Sequence, residues 1–492
     1  GLVPHKGCCL GCHQDPNSMA GEPRHVVILG GGVSGLAAAH YCQTEFGDAV
    51  KVTLLEASNT FGGWCQTEPR VSACPAAFLE RGPRSFRAAN GDPTFRLVHE
   101  LGMEEELMPA NRSMCGSRFV FLGGRLVRLG LVSALRYIGI INIVREMFVP
   151  KRTHSEDEDE SVDAWAHRRF GGGLATLLSA MLTGVYAGDS ATLSVQSVLP
   201  ILVQYERDYG SLVLGGLWSM CSGLVSGVIS RLTAVLQQLM GRPPTPVAAV
   251  DRFVAHCKRQ TLAYSFRRGI GCLAQRLAER VRTAGGADLL LNCKATHLEL
   301  PGPGPGPVLV HAQDRDHNPL SFQADHVIST LPAYALAEVL DRSVLAAAPH
   351  TVLADCSAAL WSIPFQSVAV VGLCLRSPEG CPVLPEHQGF GYLIPQTEGQ
   401  PILGTLMESL TFPSAQPKEI TRLTVMMKPP GPINNRTWPH EQPLDHLISL
   451  VHGAMHKHLG LCFAKGQSAA GMSFSVLWTQ ILLHNHCIPQ YT

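Results

Sequence analysis

HVVILGGGVSGLAAAHYCQTEFGDAVKVTLLEASNTFGG, residues His25 to Gly63, decides the fold. Its opening His25-Val26-Val27-Ile28-Leu29 is a short apolar run of the kind that makes a buried parallel strand. Gly30-Gly31-Gly32-Val33-Ser34-Gly35 follows at once, and Leu36 to Ala39 opens a helix. A second apolar run, Val50 to Leu55, ends at Glu56, about twenty residues past the last glycine. This is the order of a dinucleotide-binding βαβ unit: strand, glycine turn, helix, strand, acid. Gly30 allows the tight turn, Gly32 lets backbone approach a pyrophosphate, and Gly35 brings helix and strand together. The helix N-terminus offers free N–H groups and a partial positive charge to phosphates. Glu56 can accept from ribose hydroxyls, and its charge disfavours a 2′-phosphate, hence NADP.

Working outward, Phe61-Gly62-Gly63-Trp64 adds a second glycine pair, and Glu80-Arg81-Gly82-Pro83-Arg84-Ser85 a Gly-Pro turn. NAD dehydrogenases do not need that pair. An extended FAD lying across the sheet does, because backbone must pass close to its flavin half.

At 492 residues the chain has room for two or three domains, each with an ample core. Zero formal net charge gives no electrostatic case for nucleic acid or a polybasic membrane patch. Sixteen scattered cysteines show no disulfide framework and favour a reducing environment. The sequons at Asn111 and Asn435 are read as chance. Low charge with a mean hydropathy of +0.11 points to an apolar surface somewhere.

Residues 1–23 read as an unstructured leader. Cys9-Leu10-Gly11-Cys12-His13 matches a c-type haem attachment pattern, but no distal ligand or export signal accompanies it. No Arg-rich transit peptide is visible. Beyond the first glycine segments, a helical pattern covers Thr94 to Met108, a hairpin Arg118 to Val127, and an apolar run Leu129 to Val149. Ser211 to Ser230 carries no charge, yet nine of its residues are Gly or Ser. A buried or membrane-surface helix pair fits it better than a span. Continuous strands are expected at Asp288 to Leu300 and Ala324 to Thr330, with a surface loop in the alternating Pro301 to Pro307. Four β-like runs (Val368 to Cys374, Gly391 to Ile394, Ile402 to Leu406, Leu423 to Met427) imply an antiparallel sheet flooring a cavity. His452, His456 and His458 read as part of an exposed helix rather than a metal site.

The segments GGGVSGLAAA, LLEASNTFGGW, ERGPRSFR, SVDAWAHRRFGGG, GVYAGDS, GFGYLIP, LGTLMES and CIPQYT together resemble the protoporphyrinogen oxidase family. No one of them would suffice, since the glycine segments are shared with amine oxidases and phytoene desaturases. The resemblance implies an α/β plus α+β architecture. A Rossmann-like FAD-binding domain of the glutathione-reductase and amine-oxidase kind joins an antiparallel-sheet substrate domain and a helical membrane-associating domain. The expected boundaries are 24–112 and 253–333 for the FAD-binding parts, 113–252 for the helical part, and 334–492 for the substrate sheet. It implies FAD contacts at Gly30, Gly31, Gly32, Val33, Ser34, Gly35, Glu56, Ala57, Trp64, Gly82, Pro83, Arg84, Ser85 and Ala295. Arg118 falls where the family places a cation near a substrate propionate, suiting guanidinium–carboxylate geometry. Phe390, Gly391, Leu393 and Met426 match residues holding the tetrapyrrole.

The activity so implied is six-electron oxidation of protoporphyrinogen IX to protoporphyrin IX by molecular oxygen, with peroxide released, at the penultimate step of haem synthesis. No catalytic acid–base residue is expected, because hydride goes to flavin N5. The resemblance also implies peripheral or monotopic contact with a membrane surface, at the mitochondrial inner membrane. Candidate partners are the next haem-pathway enzyme and a second copy of the chain; no nucleic acid is expected. Two departures stand out. Phe266-Arg267-Arg268-Gly269 carries an arginine at a usual glycine position, implying a local backbone change. The chain also ends at Thr492, where the family continues into a strand and helix that close the FAD domain, so weak FAD retention is expected. Another amine-oxidase-type flavin oxidase and a non-catalytic fragment remain the rival readings.

Overall fold

The computed structural model describes residues 22–68, 78–152, 159–219, 221–222, 249–302, 306–345, 351–378, 380, 383–384, 388–429, 438, 443–469 and 471–491. The Cys9–His13 pattern, residues 155–158 of the acidic run, and residues 220 and 223–230 of the uncharged stretch lie outside them. One unit comprises Gly1–Gly63 with Ala274–Ser357, and the other Trp64–Leu273 with Ala358–Thr492.

The first unit is built on a parallel sheet in the order Ala287–Leu290, Val50–Leu55, Arg24–Leu29, His326–Ser329. Val27, Ile28, Leu29, Val52 and Leu54 are buried, as apolar runs in a sheet covered on both faces must be. Helix Val33–Phe46 follows the first strand. A second sheet orders Pro319–Ala324, Val308–Gln313, Lys294–Leu300 and Val344–Leu345. Val27, Leu29 and Leu55 of the first sheet share a core with Leu298, Val310 and Ala312 of the second.

Two expected strands are in fact each divided between these sheets. The run from Asp288 to Leu300 breaks at Asn292, whose φ of 52° is a conformation that asparagine tolerates but no strand can hold. The run from Ala324 to Thr330 breaks at Asp325, whose carboxylate accepts the His25 N–H at 2.7 Å and fixes the crossover.

The second unit contains a seven-stranded sheet. Its order is Ser475–Pro489, Phe365–Arg376, Ile420–Met427, Ile402–Met407, Gly391–Leu393, Arg118–Leu122, Arg125–Leu129. All pairings are antiparallel except Gly391–Leu393 with Arg118–Leu122. A three-stranded sheet of Phe86–Arg87, Ala263–Phe266 and Leu107–Pro109 belongs to this same unit. Residues 64–112 and 253–273 therefore group with the seven-stranded sheet, not with the parallel sheet to which the sequence boundaries attach them. The pattern over Thr94 to Met108 resolves into helix Asp92–Glu100 and strand Leu107–Pro109. At the departure from family pattern, Gly269 takes the left-handed turn at φ +87°, so Arg268 has no need of one.

The apolar run after the hairpin forms helices Leu131–Ile138 and Ile140–Glu146, followed by Val162–Phe170 and Gly172–Tyr186. Trp165 and Leu182 of the last two pack into a core with Leu193 and Val195. Among the described residues, no helix is long and apolar enough to cross a membrane.

Helix Leu444–Leu459 buries Leu447, Val451 and Met455 in a core shared with Phe121 and Tyr392. Its histidines are not one exposed row. His452 stacks on Phe463 at 3.9 Å, His456 is exposed, and His458 is buried with Nδ1 3.0 Å from the Tyr392 hydroxyl. Burial, with Lys457 beside it, pulls the His458 pKa down to about 4. An unfolded imidazole titrates near 6.5, so between these values the unfolded chain binds a proton that the folded chain refuses. This contribution is complete above about pH 6.5 and is lost as pH falls toward 4, on the order of 3 kcal/mol. Denaturant midpoints at several pH values check it. His458→Gln should flatten that slope, and an equally steep slope in the variant would exclude His458 as its source.

Candidate functional site

In the first unit, the turn after strand Arg24–Leu29 is a cradle of bare backbone. Gly30 sits at φ +101° and donates its N–H to Leu55 O at 2.9 Å. Gly62 donates to Gly31 O at 2.9 Å, so the second glycine pair packs against the first. A Cβ on Gly35 would lie 1.9 Å from Gly30 O, and one on Gly31 would lie 2.7 Å from the Phe61 ring. Only glycine lets these segments approach so closely. Gly32 caps helix Val33–Phe46 with no side-chain acceptor, and the first turn has no acidic residue. The N–H groups of Val33, Ser34 and Gly35 therefore have no intrahelical acceptor and face a positive helix end.

Glu56 closes the cradle. One carboxylate oxygen accepts Gly31 N–H at 2.7 Å and the other accepts Ser58 N–H at 2.7 Å. Each oxygen keeps lone-pair capacity for a ribose hydroxyl, and Ala57 beside it is exposed. Anion-binding donors next to a fixed carboxylate are what a pyrophosphate with its ribose requires, so these residues fit a dinucleotide. Sequence reasoning missed Thr330, whose hydroxyl donates to Leu29 O at 2.9 Å and lies within 3.1 Å of Gly30 O, pinning the turn. The only trace of it was a hydroxyl residue just after an apolar strand. The side chain of Ala295, expected to contact the cofactor, packs into the core between the two sheets, and its backbone pairs with Ala312.

In the second unit, Gly82 passes the Trp64 carbonyl so closely that a Cβ would lie 2.3 Å from its oxygen. Trp64 is half-exposed and meets His484 edge-on at 5.1 Å. Pro83 is exposed and Ser85 partly so, but Arg84 points inward. Its Nε donates to Glu408 Oε1 at 2.9 Å and its guanidinium also reaches Gly82 O at 3.0 Å. Arg422 and Thr424 hold the same Glu408, at 3.3 and 2.7 Å. Through these contacts the Arg84 side chain fixes the 80–85 loop. Glu80 behind it accepts from Thr67 Oγ1 at 2.7 Å and Ile270 N–H at 2.8 Å. Burial pushes its carboxyl up to about 7 despite those donors.

Strand registers then settle how the expected substrate residues are arranged. Leu393 pairs with Val120 and Gly404, and Gly404 pairs with Met426. Arg118 lies two residues before Val120 and opposite Gly391. With side chains alternating along a strand, Arg118, Val120, Leu393 and Met426 share one face of the sheet. Phe119, Phe121 and Tyr392 point to the other, into the core with helix Leu444–Leu459. Gly391 has φ +150°, and a Cβ there would lie 2.3 Å from Thr405 O. The preceding Phe390 is partly buried and packs near Phe412. Arg118 is exposed, and among the described residues no carboxylate pairs with it. Helix Gly172–Tyr186 covers part of this face, burying Val120 with Ala180 and Leu177 and packing against Leu393, while Arg118 at the strand end is exposed.

The chain is similar to known proteins. The flavin containing amine oxidoreductase family matches residues 33–465. Protoporphyrinogen oxidase of Macaca fascicularis is 32% identical over 495 residues, spanning 95% of this chain and 88% of the relative. That of Homo sapiens is 32% identical over 497 residues, with the same 95% and 88% coverage. A crystal structure from Exiguobacterium sp. 255-15, assigned as a protoporphyrinogen oxidase, superposes with TM-score 0.65 at 21% identity over 95% of this chain and 88% of that one. Reduced UDP-galactopyranose mutase has the same fold at TM-score 0.57 and 13% identity, over 95% and 83%.

Proposed function

The chain belongs to the protoporphyrinogen oxidase family of flavin containing amine oxidoreductases, and we propose that it converts protoporphyrinogen IX to protoporphyrin IX. It uses FAD and molecular oxygen, at the penultimate step of haem synthesis. Six hydrogens leave the macrocycle in three two-electron rounds, each reducing one oxygen molecule to peroxide. FAD, when bound, supplies the hydride acceptor and hands the electrons to oxygen.

The chain's own residues bind and orient. The N–H groups at Gly32 to Gly35 and the Glu56 carboxylate hold the dinucleotide's phosphates and ribose, and Thr330 keeps the turn in shape. The partly buried Leu393, Met426 and Phe390, with Gly391, supply the apolar contacts a macrocycle needs. The observation that carries the substrate reading is the free Arg118 at the strand end, placed to take a propionate by bidentate pairing.

Porphyrin fluorescence tests it. Incubated in air with protoporphyrinogen and FAD, the chain should produce fluorescent porphyrin above the non-enzymatic rate, with peroxide in step. Arg118→Met should raise KM about tenfold with kcat little changed, because the lost contact is common to ground and transition states. Peroxide from amines and none from protoporphyrinogen would transfer the site to amine oxidation.

The membrane contact is read from helices Leu131–Ile138 and Ile140–Glu146. Val132, Ile140 and Ile141 there, with Phe148 two residues beyond, are 80%, 71%, 83% and 78% exposed. Side chains of that size, bare and adjacent, fit an apolar patch dipping into one leaflet. The mitochondrial inner membrane is the proposed location, with the next haem-pathway enzyme and a second copy as partners. Flotation with liposomes should be lost in an Ile140→Ser/Ile141→Ser/Phe148→Ser chain; flotation at parental levels would remove this patch from the reading.

A further inference from the structure

The second sheet of the first unit carries a side-chain cluster that flavin chemistry does not use. His297 on strand Lys294–Leu300 lies directly opposite His311 on strand Val308–Gln313. Their rings stack with centroids 4.1 Å apart and planes 6° from parallel. Glu299 stands two residues beyond His297, hence on the same face and diagonal to His311, and its Oε1 lies 3.0 Å from His311 Nε2. One ligand atom from each of the three residues lies within 4.8 Å of the other two. Leu298 and Val310 between them point the opposite way, into the core.

The surroundings fix the rings. Ser321 on the third strand pairs in register with His311, and its hydroxyl sits 3.0 Å from His311 Nδ1. The Thr296 hydroxyl sits 3.1 Å from His297 Nδ1. Each imidazole is thus held at one nitrogen by a hydroxyl, the outer-shell arrangement that orients metal-bound histidines. A bulge between Ala295 and His297 re-aims the strand at this point.

We propose that His297, Glu299 and His311 form a zinc-class divalent-metal site on the outer face of this sheet. Two imidazoles and a carboxylate are a known zinc ligand set, leaving one position for water. Small rotations of the three side chains bring the donors from stacking distance to coordination distance. The ion ties Lys294–Leu300 to Val308–Gln313 across their antiparallel pairing. It stabilises that pairing as a ligand of the folded state.

Cobalt(II) and zinc(II) titrations of the full chain test this. Cobalt should give visible d–d bands without a thiolate charge-transfer band, and zinc should displace it. His311→Gln and His297→Gln should each weaken zinc binding at least tenfold and abolish the cobalt bands. His456→Gln, at an exposed histidine elsewhere, should change neither. Zinc should raise the parent's unfolding midpoint by a few degrees, and that rise should vanish in the His311→Gln chain. Near-ultraviolet circular dichroism of the metal-free variants should match the parent, showing that the fold is kept. Cobalt bands that persist in both variants, a thiolate band, or binding equally weakened by His456→Gln would each overturn the proposal.

Discussion

A Gly35→Ala chain should bind FAD at least a hundredfold more weakly than its parent, while its other unit unfolds unchanged. The new methyl would lie 1.9 Å from Gly30 O, against main chain rather than against a side chain that can swing aside. The helix start must therefore lift away from the strand end. Gly30 is held there by its bond to Leu55 O, and Thr330 pins the same turn. Lifting the helix moves the N–H groups of its first turn, all of which are needed at once by one pyrophosphate. A hundredfold loss corresponds to about 2.7 kcal/mol, the size of two charge-assisted hydrogen bonds. Glu56→Gln should cost less, about tenfold, because an amide oxygen can still accept from ribose while the charge is gone. Flavin fluorescence quenching on titration gives both constants. A Gly35→Ala chain binding FAD within threefold of the parent would mean that the cofactor does not sit on this turn.

The contrast between Gly35 and Arg84 shows where sequence reading succeeds. Gly30 to Gly35 and Glu56 are legible because strand, turn, helix and acid follow one another in a contiguous stretch, and local geometry dictates each residue type. Arg84 stands in an equally recognisable segment, yet its partner Glu408 is 324 residues away, so nothing local shows that the side chain turns inward. Thr330, 301 residues from Leu29, was missed for the same reason. Strand Ser475–Pro489 escaped detection because His484, Asn485 and His486 interrupt its apolar pattern; it lies at the sheet's edge and is mostly half-buried. The shared face of Arg118, Leu393 and Met426 depends on registers between strands far apart in the chain. Periodicity gives each strand its two faces but cannot align one strand with another.

Arg169→Met should be the most destabilising single change in the helical part, by about 3–5 kcal/mol, because it strands a buried carboxylate. Arg169 and Glu146 both have fully buried side chains and are paired directly. The same guanidinium donates to Val149 O at 3.0 Å and Gly210 O at 2.8 Å, satisfying the ends of two other segments. Glu146 also accepts from Leu212 N–H at 2.8 Å and from the Ser211 hydroxyl at 2.5 Å. Next to it, Arg168 pairs with Glu160 and Glu206, and the Trp165 indole donates to Glu206 at 2.7 Å. The adjacent arginines clamp helix Val162–Phe170 to Glu146, Val149, Glu160, Glu206 and Gly210. Removing Arg169 leaves Glu146 charged, buried and short of its main partner. Replacing both, as Arg169→Met with Glu146→Leu, should recover only part of the loss. The apolar pair removes the stranded charge, but the N–H of Leu212 and the hydroxyl of Ser211 then lose their acceptor. Urea unfolding followed by tryptophan fluorescence measures all three chains. If Arg169→Met costs less than about 1 kcal/mol, or the double variant is as unstable as the single one, the ion pair is not what holds these helices together.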